Sequence, residues 1–206
     1  MNAERLGPAW VLWMPLEEAS AGWGELSERE RLLCGAIRHP DRARQFWAGR
    51  CVVRRLWSWL GGRDSIEVLA DADGRPVLVC AGDALQEWTL SIAHTKGLVV
   101  AALRRGGSVG VDVEADRPVP LELMRRIADE AEAAIARRWA PEAPALAVWV
   151  LKEAGLKALG SGLRRSPRKL RLLEEAGALF LHGYGVRLKA LLRRLPDRFW
   201  LALSWD

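Results

Sequence analysis

Apolar positions near the start of the chain follow first a strand-like and then a helical spacing. Residues 9–13 form a short apolar run that is typical of a strand. In the next segment, Ser27 followed three positions later by Glu30 predicts a helix-capping box. A second helix is predicted over roughly residues 42–60, because Gly61 and Gly62 mark its end. We therefore expect one strand followed by two helices.

The middle of the chain consists of short strand-like runs. Residues 66–79 are typical of two strands around the turn DADGRP, in which Asp73 and Gly74 favour a tight reversal. Three further runs follow, WTLSIAHT, LVVAALRR and SVGVDVE, separated by Lys96-Gly97 and Gly106-Gly107. This arrangement predicts an antiparallel meander.

Helical spacing returns after Glu114. Pro118 and Pro120 end the strand, and one helix is predicted over residues 121–139. A second helix begins after Pro144 and carries an apolar stripe. The remaining strand-like runs cover residues 169–173, 178–181, 185–192 and 199–204.

The order of the elements is similar in the two halves of the chain. Each half has helices followed by short strands and a closing strand, EWTLSIA in the first and RFWLALS in the second. We therefore predict an α+β protein of two similar halves, residues 1–106 and 107–206, produced by an internal duplication with its junction near Gly106 and Gly107.

Composition limits the class of protein. The chain has 206 residues, of which 50% are hydrophobic, enough for one good core or two small ones. No apolar run reaches the roughly 18 to 20 residues of a membrane span, and Glu4 and Pro8 make the first residues unlike a signal peptide. We expect a cytoplasmic protein. Its cysteines, Cys34, Cys51 and Cys80, are widely spaced and odd in number, which favours buried thiols over disulfides or a metal site.

The charge of the chain favours an anionic partner. The formal net charge is +5 and the isoelectric point is near 9.6. These values do not distinguish nucleic acid, a nucleotide-like ligand and an acidic protein. Most of the basic residues are arginine, which suits phosphate binding, although genomic base composition can produce the same bias.

The segment VGVDVE, residues 109–114, places two carboxylates in a strand. Side chains alternate along a strand, so Asp112 and Glu114 project from the same face about 6.5 to 7 Å apart, and Gly110 leaves room beside them. Such a face suits a hard cation. The alternative is that both carboxylates face water on an edge strand.

A second acidic and basic pair lies in the segment WVLKEAGLKALGSGL. Glu153 and Lys157 are four residues apart and share one face of a helix, with Trp149 one turn earlier. The alternative interpretation is an ordinary surface ion pair.

The order and spacing of SIAHT, VGVDVE and WVLKEAGLKALGSGL resemble the 4′-phosphopantetheinyl transferases of the surfactin-synthetase-activating type. The segment LSERERLLCGAIRHPDRARQFWAGRCVVRR is similar to the basic N-terminal helices of that family, and DGRP is similar to one of its turns. The resemblance covers most of the chain, and its specific part is the pairing of VGVDVE with W-x-x-K-E-A-x-x-K. It implies an active site in the cleft between the two halves.

The resemblance implies transfer of the phosphopantetheine arm of coenzyme A to a serine of an apo acyl or peptidyl carrier protein, with release of 3′,5′-adenosine bisphosphate. Asp112, Glu114 and Glu153 match the carboxylates that bind Mg²⁺ in the family. Lys157 matches a lysine that contacts the phosphates, and Glu153, or a water held by it, is the candidate base. A monomer is implied.

The resemblance also implies residues that bind the coenzyme A phosphates. His94 matches a histidine that contacts them. The family pattern is S-x-S-H, whereas this chain has Ser91, Ile92, Ala93 and His94. Ser91 remains a candidate contact, and Thr95 is a candidate replacement for the hydroxyl that Ala93 lacks.

The nucleotide end of coenzyme A has its own candidate residues. Gly74, Arg75 and Pro76 match the family turn that holds the adenine. Arg44 and Arg50, on the N-terminal helices, are candidates for the 3′-phosphate.

Two questions stay open at the level of sequence. The family often has one more glutamate between the two main motifs, and Glu130 and Glu132 both compete for that role.

The alternative functions are a basic nucleic-acid-binding protein and a metal-dependent nuclease. The common nuclease pattern is E-x-K on a strand, whereas E-x-x-x-K here has helical spacing. The tryptophans fall mostly in apolar periodic runs, which is typical of core residues rather than of base-stacking surfaces.

Overall fold

The structure is a computed structural model that describes residues 2–206. It divides into two compact units between Gly106 and Gly107. Helices pack on antiparallel sheets in each unit, so the predicted α+β class is confirmed. The internal duplication stays a prediction.

The first unit contains a larger and a smaller antiparallel sheet. Its strands are β1 (Asn2–Leu6), β2 (Ala9–Pro15), β3 (Ile66–Ala70), β4 (Pro76–Cys80), β5 (Asp83–Ala84), β6 (Trp88–Thr95) and β7 (Leu98–Arg105). Its helices are α1 (Leu16–Ser20), α2 (Glu28–Gly35) and α3 (Pro40–Trp59). The strand orders are β1-β2-β7-β6 and β3-β4-β5. Helix α3 buries Val52, Val53 and Leu56 in a core shared with the larger sheet.

The second unit is built on a single five-stranded antiparallel sheet. Its strands are β8 (Val109–Ala115), β9 (Arg171–Glu175), β10 (Ala178–Gly183), β11 (Val186–Leu195) and β12 (Phe199–Trp205). Its helices are α4 (Leu121–Ile127), α5 (Glu130–Trp139) and α6 (Pro144–Ala158). The strand order is β8-β12-β11-β10-β9. Helix α6 lies against β8 and β12 and buries Leu146, Val150 and Leu151.

Two sequence-based predictions about these elements are wrong. Strands β6 and β7 pair as predicted, but β8 pairs with β12 and so does not extend a meander. Gly106 and Gly107 have φ of 70° and 77°, and they allow the chain to turn as it leaves β7 and enters β8, which belongs to a different sheet. The predicted helix over residues 121–139 is two helices, because Ala128 is extended and Asp129 caps a new helix start at α5. The short elements β1, α1 and β5 were not predicted.

In the first unit, a buried glutamate links the start of a helix to a strand through hydrogen bonds. Ser27 and Glu30 form the predicted capping box at the start of α2. Glu30 is fully buried, and its Oε1 accepts a hydrogen bond from the Val68 amide of β3 at 2.8 Å. Its Oε2 pairs with Arg54 of α3. One carboxylate therefore links α2, α3 and β3.

The second unit contains an arrangement of the same type. Asp129 and Glu132 form a capping box at the start of α5. Glu132 Oε1 accepts from the Leu172 amide of β9 at 2.7 Å and lies 2.7 Å from the Nζ of Lys152 in α6. Lys152 is fully buried and also donates to the Ile127 carbonyl at the end of α4. This network fixes α6 against its neighbours.

Gly110 allows α6 to pack closely on β8. A Cβ atom at Gly110 would lie 2.0 Å from the Ala154 carbonyl oxygen and 2.3 Å from the Ala158 amide nitrogen. Both are backbone atoms, which cannot swing aside as a flexible side chain could. The glycine of VGVDVE is therefore required for the distance between this strand and this helix.

We expect Gly110→Ala to destabilise the protein by about 1 to 3 kcal/mol, the usual cost of overpacking a buried site. Chemical denaturation measures the loss. Gly35→Ala is the matched control, since a Cβ at Gly35 meets nothing within 4 Å and the position is helical, so this variant keeps or slightly gains stability. Equal stabilities for Gly110→Ala and the wild type would show that β8 and α6 do not need this contact.

Candidate active site

Strand β8 and helix α6 bring the predicted polar residues together. Asp112 is 7% exposed, and its Oδ1 accepts a hydrogen bond from Lys157 Nζ at 2.8 Å. The bond joins the middle of β8 to the last turn of α6. Asp112 therefore does not face water on an open strand edge, and Lys157 is not part of an i,i+4 pair on the helix surface.

Glu114 lies two residues further along the same face of β8. Its Oε1 accepts a hydrogen bond from Trp149 Nε1 of α6 at 3.3 Å and another from Arg117 at 3.3 Å. Trp149 is one helical turn before Glu153. The indole therefore holds the second carboxylate of the strand toward the helix.

Glu153 is the carboxylate of α6 in this group. It is 8% exposed, and its buried Oε1 has no hydrogen-bond partner within residues 2–206. Its pKa is raised to about 7, mainly by burial and also by the negative charges of Asp112 and Glu114, whereas the Lys157 ammonium acts in the opposite direction. Glu153 can therefore exchange a proton near neutral pH.

Asp112 is perturbed in the same direction. Burial raises the pKa of its carboxyl group, and the charge and hydrogen bond of Lys157 partly offset this effect. The positive charge of Lys157 favours the ionised forms of the two buried carboxylates, Asp112 and Glu153. The face shared by β8 and α6 is thus a buried ionisable cluster rather than a solvated charged surface.

The donor chemistry of this cluster suits magnesium. Carboxylate oxygens are the ligands that Mg²⁺ prefers, and Glu153 Oε1 is a buried acceptor without a partner in the part of the chain that the structure describes. Across the same residues, no three Asp, Glu, His or Cys side chains are grouped closely enough to hold a metal ion. Asp112 Oδ1 accepts a hydrogen bond from Lys157 Nζ instead. The predicted ligands Asp112, Glu114 and Glu153 are therefore neighbours but not an assembled metal site.

The raised pKa of Glu153 predicts a pH-dependent stability in metal-free protein. The folded state binds the Glu153 proton more tightly than the unfolded state, so folding stability falls as pH rises from about 4.5 to about 7. Glu153→Gln removes this loss, and the variant should gain up to about 3 kcal/mol relative to the wild type by pH 8, with little difference below pH 4.5.

Denaturation in the presence of a chelator, from pH 4.5 to 8, measures this difference. Glu17→Gln, at an exposed carboxylate of α1, is the control, and its stability should follow the wild-type curve. Parallel curves for Glu153→Gln and the wild type would mean that Glu153 is not held in a buried site.

The structure distinguishes the two candidates for the additional glutamate. Glu130 is exposed and pairs with Arg137 on α5. Glu132 is 2% exposed and is bound by Lys152, the Leu172 amide and the Asp129 amide. Neither belongs to the group formed by β8 and α6. Glu132 was recognisable as structural, because D-x-x-E before an apolar helix is a capping-box pattern.

A cavity of about 430 Å³ in the first unit gathers half of the residues predicted for the nucleotide. Its lining includes the predicted Arg50, Gly74, Pro76 and His94. The sequence interpretation missed Arg42 and Phe46, which also line it. These residues come from α3, the turn before β4, the start of β4, and the end of β6.

Arg50 provides a buried positive charge in this cavity. Its guanidinium stacks 3.3 Å from the centroid of the Phe46 ring and donates to the Phe46 carbonyl at 3.0 Å. Burial lowers its pKa to about 10, so it stays charged at neutral pH. Its Nε is buried and has no hydrogen-bond partner within residues 2–206. A partly desolvated cation with an unused donor is suited to an anionic ligand.

The other predicted nucleotide residues do not line this cavity. They are Arg44, Arg75, Ser91 and Thr95. Arg44 lies 3.8 Å from Asp41, and Arg75 lies 3.8 Å from Asp73. Ser91 fails to reach the cavity because side chains alternate on β6.

The same alternation bears on the family pattern S-x-S-H. Ile92 and His94 line the cavity, so Ser91 and Ala93 point to the opposite face of β6, where both are buried. A serine hydroxyl at position 93 would therefore point away from this cavity, so Ala93 removes no contact from it.

Cys34 and Cys51 are buried, Cys80 is half-buried, and all three are free thiols. Among the helices of residues 2–206, none combines the length and the apolar character needed to cross a membrane. Glu153 and Lys157 lie on a helix, as predicted, and not on the strand of the common nuclease pattern.

The second unit is similar to a known protein family. Residues 108–201 match the model of the 4′-phosphopantetheinyl transferase superfamily. The matched segment includes β8 and α6 with Asp112, Glu114, Glu153 and Lys157.

Solved structures similar to this chain include two holo-(acyl-carrier-protein) synthases. The one from Thermotoga maritima is 30% identical over 48% of this chain and 61% of its own length, with a TM-score of 0.40. The one from Bacillus anthracis str. Ames, in complex with CoA (3′,5′-ADP), is 25% identical over 47% of this chain and 92% of its own length, with a TM-score of 0.39. Comparison with curated proteins gave no match.

Proposed function

We propose that this protein transfers the 4′-phosphopantetheine arm of coenzyme A to a serine of an apo carrier protein and releases 3′,5′-adenosine bisphosphate. The observation that carries the proposal is the group formed by Asp112, Glu153 and Lys157. In this group a lysine and two buried carboxylates, one with a pKa near 7, face each other inside the segment that matches the superfamily.

Glu153 is suited to the role of general base. A base is most effective when its pKa lies near the working pH, and burial raises the pKa of Glu153 toward that range in the metal-free protein. Its unpartnered Oε1 is available to accept the proton of a serine hydroxyl, either directly or through one water. Deprotonation of that serine makes its oxygen the nucleophile at the β-phosphorus of coenzyme A.

Lys157 is suited to stabilise the phosphate group that leaves in the reaction. Its side chain is 26% exposed and its ammonium points to the carboxylate face at 2.8 Å from Asp112. The same Nζ can donate a hydrogen bond to the oxygen on which negative charge accumulates as the pyrophosphate bond breaks. Fixed positive charge at that position stabilises the transition state more than the bound substrate.

Asp112, Glu114 and Glu153 would together hold Mg²⁺. When bound, the ion neutralises the charge of the pyrophosphate, which phosphoryl transfer requires. Trp149 supports this assignment, because its indole already orients Glu114 toward α6.

The first unit would bind the nucleotide end of coenzyme A. Its cavity combines the Arg50 guanidinium, whose Nε has no partner among residues 2–206, with His94 and Arg42, which suits an anionic phosphate. The turn around Gly74 and Pro76 also lines it. We assign the 3′-phosphate to Arg50. The carrier protein and coenzyme A, rather than nucleic acid, are then the partners of this basic chain.

We expect coenzyme A to bind about 10 to 100 times more tightly than dephospho-coenzyme A, the range expected for one hydrogen bond to a charged group. Arg50→Met should remove most of this preference because it keeps the side-chain volume without the charge. Calorimetry measures both affinities, and Arg63→Met, at an exposed arginine, is the control. Equal affinities of the wild type for the two ligands would contradict the assignment of Arg50.

The surfactin-synthetase-activating type is supported by features of the chain outside the matched segment. Glu30 with Arg54 and the Val68 amide has the same arrangement as Glu132 with Lys152 and the Leu172 amide. Each joins a capping box, a long helix and the next strand. This parallel supports an internal duplication into two α+β halves. A cytoplasmic monomer remains the expectation from the sequence.

Release of 3′,5′-adenosine bisphosphate tests the reaction. The nucleotide should appear only when coenzyme A, Mg²⁺ and an apo acyl or peptidyl carrier protein are present together. Chromatography detects it, and a carrier protein with alanine at the acceptor serine is the control. Release without a carrier protein, or cleavage of added DNA or RNA with Mg²⁺, would favour a hydrolase instead.

A further inference from the structure

A buried carboxylate of the first unit lies beside two arginines of one helix. Arg50 and Arg54 are four residues apart on α3 and therefore share one face of it. Glu30 is fully buried in the first turn of α2, and its Oε2 pairs with Arg54. Arg50 lines the cavity of the first unit, whereas Arg54 and Glu30 do not. Two arginines on neighbouring turns thus have different surroundings.

The charge of Glu30 acts on Arg50 as well as on Arg54. Burial lowers the pKa of Arg50, the Glu30 carboxylate is the largest influence that raises it, and the Arg54 guanidinium lowers it. Among residues 2–206, Arg50 forms no ion pair with a carboxylate, and its guanidinium stacks on the Phe46 ring instead. Glu30 is therefore near enough to be a counterion for Arg50, but Arg54 already neutralises it.

Two backbone amides fix the position of Glu30. Its Oε1 accepts a hydrogen bond from the Val68 amide at 2.8 Å, and its Oε2 accepts one from the Ser27 amide at 2.9 Å. Because these bonds hold the carboxylate inside the protein, it cannot turn out to water when Arg54 is lost. A buried charge without a counterion is strongly unfavourable. Arg50, one turn earlier on the same face of α3, is a cation that can replace Arg54.

We infer that Arg54 is a positioning residue for the anion site, because its pairing with Glu30 leaves the Arg50 guanidinium in the cavity. The inference rests on the proposed function, in which Arg50 binds the 3′-phosphate of coenzyme A. Arg54 acts through Arg50 and does not itself touch the ligand. The preference for a ligand with this phosphate then depends on a residue outside the cavity.

Arg54→Gln tests the inference by calorimetry with coenzyme A and dephospho-coenzyme A. The amide can still donate one hydrogen bond to Glu30 but carries no charge, so Arg50 should move toward Glu30. We expect the wild-type preference of about 10 to 100 times for coenzyme A to fall to about threefold or less, through weaker binding of coenzyme A. An unchanged preference would overturn the inference and leave the phosphate assigned to Arg50.

Two further variants distinguish a displaced Arg50 from damage to the fold. Glu30→Gln/Arg54→Gln removes the charge that attracts Arg50, and should restore a preference within about threefold of the wild-type value. Arg54→Lys keeps a cation, as Lys152 does beside Glu132 in the second unit, and should also keep the preference. Loss of the preference in either variant would overturn the inference, and this test holds even where Arg54→Gln alone does not fold.

Lys152→Gln is the matched control, since it removes the partner of the buried Glu132 and does not line the cavity. It should lower stability, as Arg54→Gln does, yet keep the wild-type preference. An equal loss of preference in both variants would show only a general effect of instability, which overturns the inference. Equal affinities of the wild type for the two ligands would contradict the assignment of Arg50, and the inference would fall with it. Transfer to a carrier protein is measured separately and decides the proposed reaction.

Discussion

Lys157→Ala lowers the single-turnover rate of phosphopantetheine transfer by about 10² to 10³, the loss typical of one preorganised electrostatic group. The affinity for coenzyme A falls much less, because Lys157 acts on charge that develops as the pyrophosphate bond breaks. Rapid-quench measurements with saturating coenzyme A and an apo carrier protein give the rate, and calorimetry gives the affinity.

Removal of Lys157 also leaves Asp112 without its partner, which calls for two controls. Lys189→Ala, at an exposed lysine of β11, should keep the wild-type rate. Asp112→Asn/Lys157→Met removes both charges of the pair together, so chemical denaturation of this variant beside Lys157→Ala measures the stability cost of an unpaired Asp112 separately from the loss of rate. A near-normal rate in Lys157→Ala, with a stability change of a few tenths of a kcal/mol, would identify an ordinary ion pair.

Glu153→Gln lowers the same rate by a factor of the same order, about 10² to 10³, for a different reason. The amide keeps the shape of the side chain but cannot accept the serine proton and is a weaker ligand for a cation. We therefore expect the Mg²⁺ concentration for half-maximal rate to rise as well, which Lys157→Ala should not cause. Rates measured across a magnesium titration distinguish the two variants.

Glu142→Gln is the matched control for this substitution, since Glu142 is exposed and pairs with Arg194. It should keep both the rate and the magnesium requirement. A Glu153→Gln variant with the wild-type rate and magnesium dependence would exclude Glu153 as base and as ligand, and its carboxylate would then have a purely structural role.

Local sequence patterns predicted most of the elements because their signals are short-range. The Ser27 capping box, the glycines after α3 and the alternation in β8 are each contained in a few residues. The pairing of β8 with β12 was missed because it depends on residues about ninety positions apart. The break between α4 and α5 was missed because apolar spacing continues through it, although the Asp129 capping box marks it.

The residues of the candidate site were predictable, but their contacts were not. Strand alternation placed Asp112 and Glu114 on one face, and helical spacing placed Glu153 and Lys157 on another. No pattern could show that Lys157 bonds to Asp112 rather than to Glu153, since that depends on how closely α6 packs on β8 at Gly110. The buried roles of Lys152 and Glu132 likewise follow from packing among α4, α5, α6 and β9.

The intact mass of an apo carrier protein, measured after incubation with this protein, coenzyme A and Mg²⁺, tests the central claim most directly. The account predicts a gain of one phosphopantetheine group per carrier, located on the acceptor serine, with the gain lost in Asp112→Ala and when the serine is replaced by alanine. Carriers of fatty-acid, polyketide and nonribosomal peptide synthesis should all be tried. Unchanged masses for all of them, with folded protein and saturating coenzyme A and Mg²⁺, would contradict it.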